Sequence, residues 1–276
     1  MANGAAGLLK RPLTELEHLG GQMLFYGRVL KAIPFTIKRY SKEISRLLAE
    51  VTLGSGALAV IGGTIGVVVS MCFFTGTEVG VQGYAALDQL GTAALTGFVS
   101  AYFNTREISP IVAGIALAAT VGCGFTAQLG AMRISEEVDA LEVMAIPSMQ
   151  FLVTTRVLAG LIAIIPLYIG GLLSSYFATR LVITQINGQS PGTYDHYFNT
   201  FLPPVDVLWS FGKVLIFAVL VILIHCYHGY HASGGPSGVG IAVGQAVRTS
   251  IVVVTVVDLL ASMAIWGTTV TVRIAG

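Results

Sequence analysis

The sequence predicts an all-α integral membrane protein with an N-terminal interfacial helix, five transmembrane helices and a short helix between the second and third spans. Three observations carry this prediction. The chain is 54% hydrophobic and only 11% charged, whereas a soluble domain carries roughly 25% charged residues. Its apolar runs are long enough to cross a bilayer, which takes about 20 helical residues. Its charges concentrate in a basic N-terminal region and in an acidic segment near the middle.

Composition also excludes several classes of function. The net charge is +1, so the sequence offers no basic surface for nucleic acid. Cys72, Cys123 and Cys226 lie far apart in apolar runs, without a CxxC motif. This spacing argues against a disulfide framework or a zinc site. Residues 1–20 lack the apolar core that a cleavable signal peptide requires.

Residues 1–50 are expected to form the interfacial region. Between residues 10 and 50, eight basic side chains are interleaved with apolar ones at helical spacing. This pattern is typical of a helix that lies in the membrane interface, and Pro34 should bend it. Basic residues beside a span favour the cytoplasmic side. An ordinary soluble leader is the alternative interpretation of this region.

The first predicted span covers 51–74. It contains Gly62-Gly-Thr-Ile-Gly66, a spacing of small residues that lets helices approach closely. Polar residues follow the span and mark its outer side. They are Glu78, Gln82, Tyr84 and Asp88.

The second apolar run, 91–132, is too long for one straight span. Arg106, Glu107 and Pro110 interrupt it, and the proline is expected to kink or break the helix. Small residues spaced four apart then form a packing stripe. They are Gly114, Ala118 and Gly122.

Three further spans complete the predicted topology. The third covers 151–183 and should be kinked at Pro166. An outer segment follows at 184–206, where aromatic side chains suit the membrane interface. The fourth span covers 207–227, and a glycine-rich cytoplasmic turn leads to the fifth, 243–270. Five spans place the N-terminus inside and the C-terminus outside.

The acidic segment 134–146 is predicted to be a short amphipathic helix on the cytoplasmic side. Ser135 can cap its N-terminus, and Pro147 stops it, because the residue before a proline leaves the helical region. Apolar residues at spacings of three and four give it one apolar side. They are Ile134, Val138, Leu141 and Ala145. A solvated loop that only separates two spans is the alternative.

Ionisable residues at membrane depth are costly, so they mark candidate functional positions. Arg106 and Glu107 adjoin the expected helix break, Lys213 lies early in the fourth span, and Asp258 lies near the middle of the fifth. The alternative is that an acid and a base pair only to hold helices together.

Three histidines, His225, His228 and His231, lie on one face at the inner end of the fourth span. Imidazoles at this spacing can bind a metal ion, but no carboxylate or cysteine completes a tetrahedral set. An interfacial belt of aromatic and weakly polar residues explains them equally well. We therefore expect no metal site and no cofactor in this chain. Walker A, GxSxG and HExxH motifs do not occur, and we expect no catalysis.

Four motifs, in order along the chain, resemble a known family. They are Arg106-Glu107-x-x-Pro110, Gly124-Phe-Thr-Ala-Gln-Leu-Gly130-Ala-Met-Arg133, Glu136-Glu-Val-Asp-Ala-Leu-Glu-Val-Met-Ala145 and Arg156-Val-Leu-Ala159. This ordered pattern resembles the MlaE/YrbE permeases, the membrane subunits of ABC transporters that work with MCE proteins to move lipids across cell envelopes. The resemblance extends from Val51 to the fifth span.

Within that family the chain looks closest to the B-type YrbE subunit of actinobacterial Mce systems. The stretches 120–130, 194–201 and 233–248 carry this likeness. Where single-gene MlaE proteins have an arginine and a glutamate in the second span, this chain has Thr120 and Gln128. Those proteins form homodimers, whereas two YrbE genes usually occur together. The resemblance therefore implies a heterodimer with an A-type YrbE permease.

The resemblance implies a permease domain at 51–276 in the inner (plasma) membrane, with a cytoplasmic N-terminus and a periplasmic C-terminus. It implies a cytoplasmic ABC ATPase dimer, which binds the ATP and magnesium, and MCE-domain proteins on the outer side. The substrate would be a lipid of the fatty acid, phospholipid or sterol class. It would move between an MCE tunnel and the inner membrane, with uptake as the implied direction, and this chain would be non-catalytic.

The resemblance also assigns roles to residues. Tyr84, Arg106, Glu107 and Lys213 would lie near the lipid cavity. Arg106 and Lys213 would meet an anionic head group, with Glu107 as their counter-charge and Tyr84 as a polar-tipped wall. The acidic helix would be the coupling helix that docks the ATPase. Its coupling residues would be Glu136, Glu137, Val138, Asp139, Leu141, Glu142 and Met144.

Two other functions fit parts of the sequence. Glu107 and Asp258 could carry protons in an ion-coupled secondary carrier, although the inverted repeats of such carriers are not evident. The chain could also be a membrane anchor for an MCE assembly, without transport. The predicted coupling helix argues against an anchor, which needs no such helix.

Overall fold

The computed structural model describes residues 20–53 and 63–267, and this part of the chain contains ten helices and no strand. Helix α1 is helical from 20 to 31. The others are α2 Ile33–Arg39, α3 Ser41–Leu53, α4 Gly63–Gln89, α5 Ala93–Ile134, α6 Glu137–Val143, α7 Met149–Ile186, α8 Pro191–Thr200, α9 Pro204–Tyr230 and α10 Gly235–Trp266. The all-α fold is confirmed.

Five helices, α4, α5, α7, α9 and α10, are long and apolar enough to cross a membrane, as predicted. The first span differs from the prediction, because it runs from Gly63 to Gln89 rather than over 51–74. Residues 51–53 are the last turn of α3. Gly62 and the rest of 54–62 lie outside the described residues, as do 268–270 at the end of the predicted fifth span.

Of the kink or break that was expected at Pro110 in the second span, the break does not occur. Helix α5 is continuous, and the segment Ser100–Ile108 before Pro110 is π-helical. Within it the Ser109 amide donates to the Asn104 carbonyl, five residues earlier. A proline has no N–H to give and its ring clashes with the carbonyl four residues before it. A wider turn relieves that clash, and such π-bulges are frequent at functional sites.

The interfacial region consists of three helices rather than one bent helix. Helix α1 ends at a turn, and Pro34 lies in the first turn of α2, where a proline is tolerated because no intrahelical N–H bond is lost. The buried side of this region packs against the spans through Phe25, Val29 and Leu47. Its exposed side is apolar too, with Met23, Leu24, Phe35 and Ile37.

The spans pack closely at small residues. A Cβ added to Gly76 of α4 would lie 2.5 Å from the Ser175 carbonyl oxygen of α7, and Thr179 donates to the Gly76 carbonyl at 2.7 Å. On the stripe predicted in α5, Gly114 contacts Phe217, and a Cβ on Gly122 would lie 2.6 Å from the His225 ring. This stripe is the surface on which α9 rests.

The acidic segment forms a shorter helix than predicted, Glu137–Val143. Ser135 does not cap it, since its hydroxyl donates to the Ala131 carbonyl at 2.9 Å and so closes the end of α5. Glu136 precedes α6 with a φ of 62°, which turns the chain sharply. Pro147 does not end the helix either, because Ala145 already has a φ of 57°.

The outer segment contains one helix, α8, which packs on α5 at the end of the bundle opposite α6. A Cβ on Gly97 of α5 would clash with the Tyr194 carbonyl. Arg180, at the end of α7, donates to both carboxylate oxygens of Asp195 at 2.8 and 2.9 Å. These hydrogen bonds hold the pKa of Asp195 below its ordinary value of 3.8.

Candidate functional site

Lys213 is the centre of a charged group within the helical bundle. It lies nine residues after the start of α9, about 14 Å along the axis at 1.5 Å per residue, and is only 1% exposed. Its Nζ lies 2.6 Å from Asp258 Oδ1 on α10 and 3.6 Å from Glu107 Oε2 on α5. One buried ammonium thus joins three spans, and each partner offsets part of its desolvation.

Lys213 also supplies a hydrogen-bond donor in place of the backbone N–H that Pro110 lacks. Its Nζ donates to the Arg106 carbonyl at 2.7 Å, and Arg106 lies four residues before the proline that cannot supply an N–H. Ser262 of α10 extends the network, since Lys213 Nζ donates to its hydroxyl at 2.8 Å and that hydroxyl donates to Glu107 Oε1 at 2.7 Å. The irregular turn of α5 is therefore held by α9 and α10.

Arg106 pairs with Asp206 rather than with Glu107. Its Nε donates to Asp206 Oδ2 at 2.9 Å, and Trp266 Nε1 donates to Asp206 Oδ1 at 2.9 Å. The guanidinium lies over the Tyr102 ring, 4.1 Å from its centroid, an arrangement that favours a cation. We call Arg106, Glu107, Asp206, Lys213 and Asp258 the ionic cluster.

The structure brings together three of the four residues assigned to the substrate path. Arg106, Glu107 and Lys213 belong to the ionic cluster, in which Glu107 lies beside Lys213 and Arg106 pairs with Asp206. Their place on a lipid path stays a prediction. Tyr84 lies on α4, half-buried. Among the hydrogen bonds and ring contacts that the described residues make, none joins Tyr84 to the ionic cluster.

Sequence reasoning missed Asp206, Trp266 and Ser262. Asp206 follows Pro203-Pro204 in the first turn of α9, and an acid at the start of an apolar run was a signal that could have been read. Trp266 ends α10 and gave no comparable signal. Asp258 was flagged at membrane depth without a partner, and its pairing with Lys213 supplies one.

A second polar group lies toward the α6 end of the bundle. Gln128 Nε2 donates to Glu50 Oε1 at 2.8 Å, and the buried Arg156 donates through Nη2 to Gln128 Oε1 at 3.2 Å. Gln128 therefore bridges an acid and a base. Gln128, Glu50 and Thr120 line one cavity of about 310 Å³, whose other walls are mostly apolar, as at Phe125.

The three histidines do not converge. His225 is fully buried, and its Nδ1 lies 2.8 Å from the Thr126 hydroxyl. His231 contacts the rings of Phe25 and Tyr227 and lines a cavity together with His228, which His225 does not reach. Within the described residues, no three histidine, cysteine or acidic side chains come together as metal ligands.

Helix α6 presents a different surface from the one expected. Val138 is fully buried in the core, so its assignment as a docking residue is wrong, and it instead anchors the helix to its own bundle. Leu141 is half-buried against the same core. The exposed apolar residues are Met144, as expected, and Val143, which is 89% exposed. Asp139 is paired with Arg133 at 2.6 Å.

Helix α6 and the ionic cluster lie at opposite ends of a multi-span bundle. The cluster offers cations and carboxylates inside a bundle of apolar helices of membrane-spanning length, which suits binding and release of a polar group. Helix α6 carries the exposed apolar side chain of Val143, and the exposed Met144 follows it. These features define a polytopic membrane transport protein of the permease class.

The comparisons with known proteins give the family. The family model described as "Permease MlaE" matches residues 54–264, and the chain belongs to this family. A Rickettsia bellii protein named "Probable ABC transporter permease protein" is 30% identical over 269 residues, which cover 94% of this chain and 96% of that one.

Two further relatives extend the comparison. The "Intermembrane phospholipid transport system permease protein MlaE" of Haemophilus influenzae is 27% identical over 195 residues, covering 70% of this chain and 75% of its own. The chloroplastic protein TRIGALACTOSYLDIACYLGLYCEROL 1 of Arabidopsis thaliana is 29% identical over 196 residues, covering 70% of this chain and 56% of its own. The chain is thus an ABC transporter permease of the MlaE family.

Proposed function

We propose that this chain is the permease subunit of an ABC-type Mce lipid transporter, driven by ATP that a separate ATPase hydrolyses. The observation that carries the proposal is the ionic cluster, in which Arg106 and Lys213 pair with carboxylates inside the bundle of spans. The name of the Haemophilus influenzae relative supports a phospholipid as substrate. Uptake, from an MCE tunnel towards the inner membrane, is the proposed direction.

The proposed substrate contact is an anionic head group near Arg106. Its guanidinium is partly exposed, with a side-chain exposure of 18%, so a phosphate could compete with Asp206 for it. Guanidinium and phosphate form bidentate, charge-assisted hydrogen bonds. Glu107, whose side chain is 35% exposed, would repel a misplaced phosphate. Lys213 is too buried for direct contact in this conformation and would act by holding the Arg106 carbonyl.

The proposed assembly contains an A-type YrbE permease, an ABC ATPase dimer on the cytoplasmic side and MCE-domain proteins on the outer side. The chain would lie in the inner membrane with α1–α3 and α6 on the cytoplasmic side. The exposed Val143 and Met144, together with the exposed Glu136 and Glu137, would dock the ATPase. ATP and magnesium would bind that partner, and this chain would bind no cofactor.

The decisive experiment purifies the tagged chain from native membranes with its partners and reconstitutes the complex in liposomes. Fluorescent phosphatidylglycerol should then move to acceptor vesicles in the presence of ATP, and a non-hydrolysable analogue should abolish the movement. Recovery of this chain as a stable, transport-competent homodimer would refute the heterodimer. Recovery of the chain without an ATPase would refute the proposal that it belongs to an ATP-driven transporter.

A second candidate function is proton-coupled transport, which the buried Lys213–Asp258 pair favours. Carboxylates beside a buried lysine are typical of proton relays in membranes. The same liposomes distinguish the two functions. A pH gradient without ATP should move no phosphatidylglycerol if the ABC mechanism holds, whereas gradient-driven movement would support the carrier.

A further inference from the structure

Three side chains form a hydrogen-bonded triangle at the α6 end of the bundle. Ser148 Oγ donates to Glu142 Oε1 at 2.6 Å and lies 2.8 Å from Tyr230 Oη. Because Ser148 has one proton and gives it to Glu142, the tyrosine hydroxyl donates to Ser148. Tyr230 Oη also lies 3.5 Å from Glu142 Oε1. We call these three residues the Glu142 clamp.

The clamp joins two neighbouring elements to a third that lies 82 residues further along the chain. Glu142 belongs to α6, Ser148 lies at the start of α7, and Tyr230 is the last residue of α9. Helix α6 is also tied to the bundle by the Arg133–Asp139 pair and by the buried Val138. The clamp is therefore a polar contact through which a movement of α6 can reach α9.

Helix α9 leads from the clamp to the ionic cluster. Tyr230 and Lys213 lie on the same continuous helix, and Lys213 holds the irregular turn of α5 through the Arg106 carbonyl. A rigid helix transmits an axial or rotational displacement along its length. A shift of the inner end of α9 would therefore alter the contacts of Lys213 with its partners.

We propose that the Glu142 clamp couples the docked ATPase to the ionic cluster, with Ser148 and Tyr230 as positioning residues. The proposal rests on the proposed function. It reassigns Glu142, which here binds its own chain rather than a basic residue of the ATPase. Coupling through such a contact requires a bistable element, one whose two arrangements differ little in free energy.

The location of the clamp allows it to open at low cost. Glu142 is exposed and, with Tyr230, lines an open cavity of about 420 Å³ beneath α1. Water can hydrate the carboxylate and the phenol when their hydrogen bonds break, so of the three clamp residues only the buried Ser148 loses its partners. A buried pair such as Lys213–Asp258 could not open in this way, because water does not reach its charges.

The transport test removes single hydroxyls from the complete reconstituted complex. Tyr230→Phe and Ser148→Ala should lower the number of phosphatidylglycerol molecules moved per ATP hydrolysed by about fivefold, the effect of one net hydrogen bond on an equilibrium. Tyr227→Phe is the matched control. It lies one turn earlier in the same aromatic group, and its hydroxyl makes no hydrogen bond among the described residues. The number of lipid molecules moved per ATP should therefore stay unchanged in this variant. An unchanged number of lipid molecules moved per ATP in both clamp variants would overturn the proposal.

A second measurement does not depend on lipid transport. Spin labels at Ala140→Cys on α6 and Ser233→Cys after α9, on a background without Cys72, Cys123 and Cys226, report the distance between the two elements in the full complex. The distance distribution should be narrow in the parent and broad in Tyr230→Phe and Ser148→Ala. Equal widths would contradict the clamp. A complex that moves no lipid with ATP would refute the proposed function, while the label distances would still test the clamp.

Discussion

Lys213 Nζ lies 2.6 Å from Asp258 Oδ1, and this contact joins α9 to α10 in the interior of the bundle. Both residues are almost fully buried, at 1% and 4% exposure. A buried pair is weak evidence for stability by itself, because desolvation offsets much of the attraction. The pair matters here because of its position, since the same ammonium donates to the Arg106 carbonyl, to which Pro110 cannot donate.

Breaking this pair should destabilise the protein. Lys213→Met leaves the Asp258 carboxylate buried without its partner, at an expected cost of about 3–5 kcal/mol. The measurement is denaturant unfolding of the detergent-solubilised complex. Combining Lys213→Met with Asp258→Leu should recover much of the loss, because no stranded charge remains. Equal stability of the single variant and the parent would contradict the pair.

Arg106 and Glu107 should matter more for transport than for assembly. Arg106→Ala removes the partly exposed cation, and Glu107→Ala removes the carboxylate beside Lys213. Each should reduce phosphatidylglycerol transport roughly tenfold, as expected for a lost charged hydrogen bond, while the complex still purifies intact. Arg180→Ala is the control, because it breaks another arginine–aspartate pair away from the ionic cluster. Normal transport by both variants would show that Arg106 and Glu107 do not lie on the lipid path.

Docking of the ATPase should depend on Val143. Val143→Asp places a charge at a fully accessible apolar position, so the fold should persist while the ATPase no longer co-purifies. Val138→Ala should do the reverse, lowering thermal stability by a cavity while docking is retained. Leu141→Asp cannot separate the two effects, since Leu141 packs partly against the core. Normal co-purification with Val143→Asp would show that this surface is solvated rather than docked.

The two ends of the bundle should face opposite sides of the membrane. Single cysteines at Glu137 and Ser190, both exposed, can be labelled with a membrane-impermeant maleimide on a background without Cys72, Cys123 and Cys226. In intact cells only position 190 should react, and position 137 should react after the cells are opened. Reaction of position 137 from outside would invert the proposed topology.

The outer helix α8 should loosen at low pH. Because hydrogen bonds from Arg180 hold the pKa of Asp195 below 3.8, the pair stabilises the protein above the pKa of the unfolded state and loses this contribution as pH falls through the folded pKa. Amide hydrogen exchange over 191–200, corrected for the intrinsic pH dependence, should therefore accelerate below pH of about 4. Asp195→Asn should show no such pH-dependent increase.

The candidate site was only partly predictable. Arg106, Glu107 and Lys213 could be selected from one sequence because an ionisable residue in an apolar run is costly wherever the chain folds. Their pairing could not be selected, since Asp206 lies 100 positions from Arg106 and Asp258 lies 45 positions from Lys213 along the chain. A charge pairs with whatever packing brings within reach, and that distance is a tertiary property.

The sequence by itself determined the class of fold, the number of spans and the family, because hydropathy and motif order are local properties of the chain. The tertiary structure alone decided that α5 stays continuous through Pro110, because a π-helical turn and Lys213 together replace the missing hydrogen bond. It also decided which side of α6 is free. Val138 and Val143 are equally apolar in sequence, yet only packing against the core buries the first and leaves the second exposed.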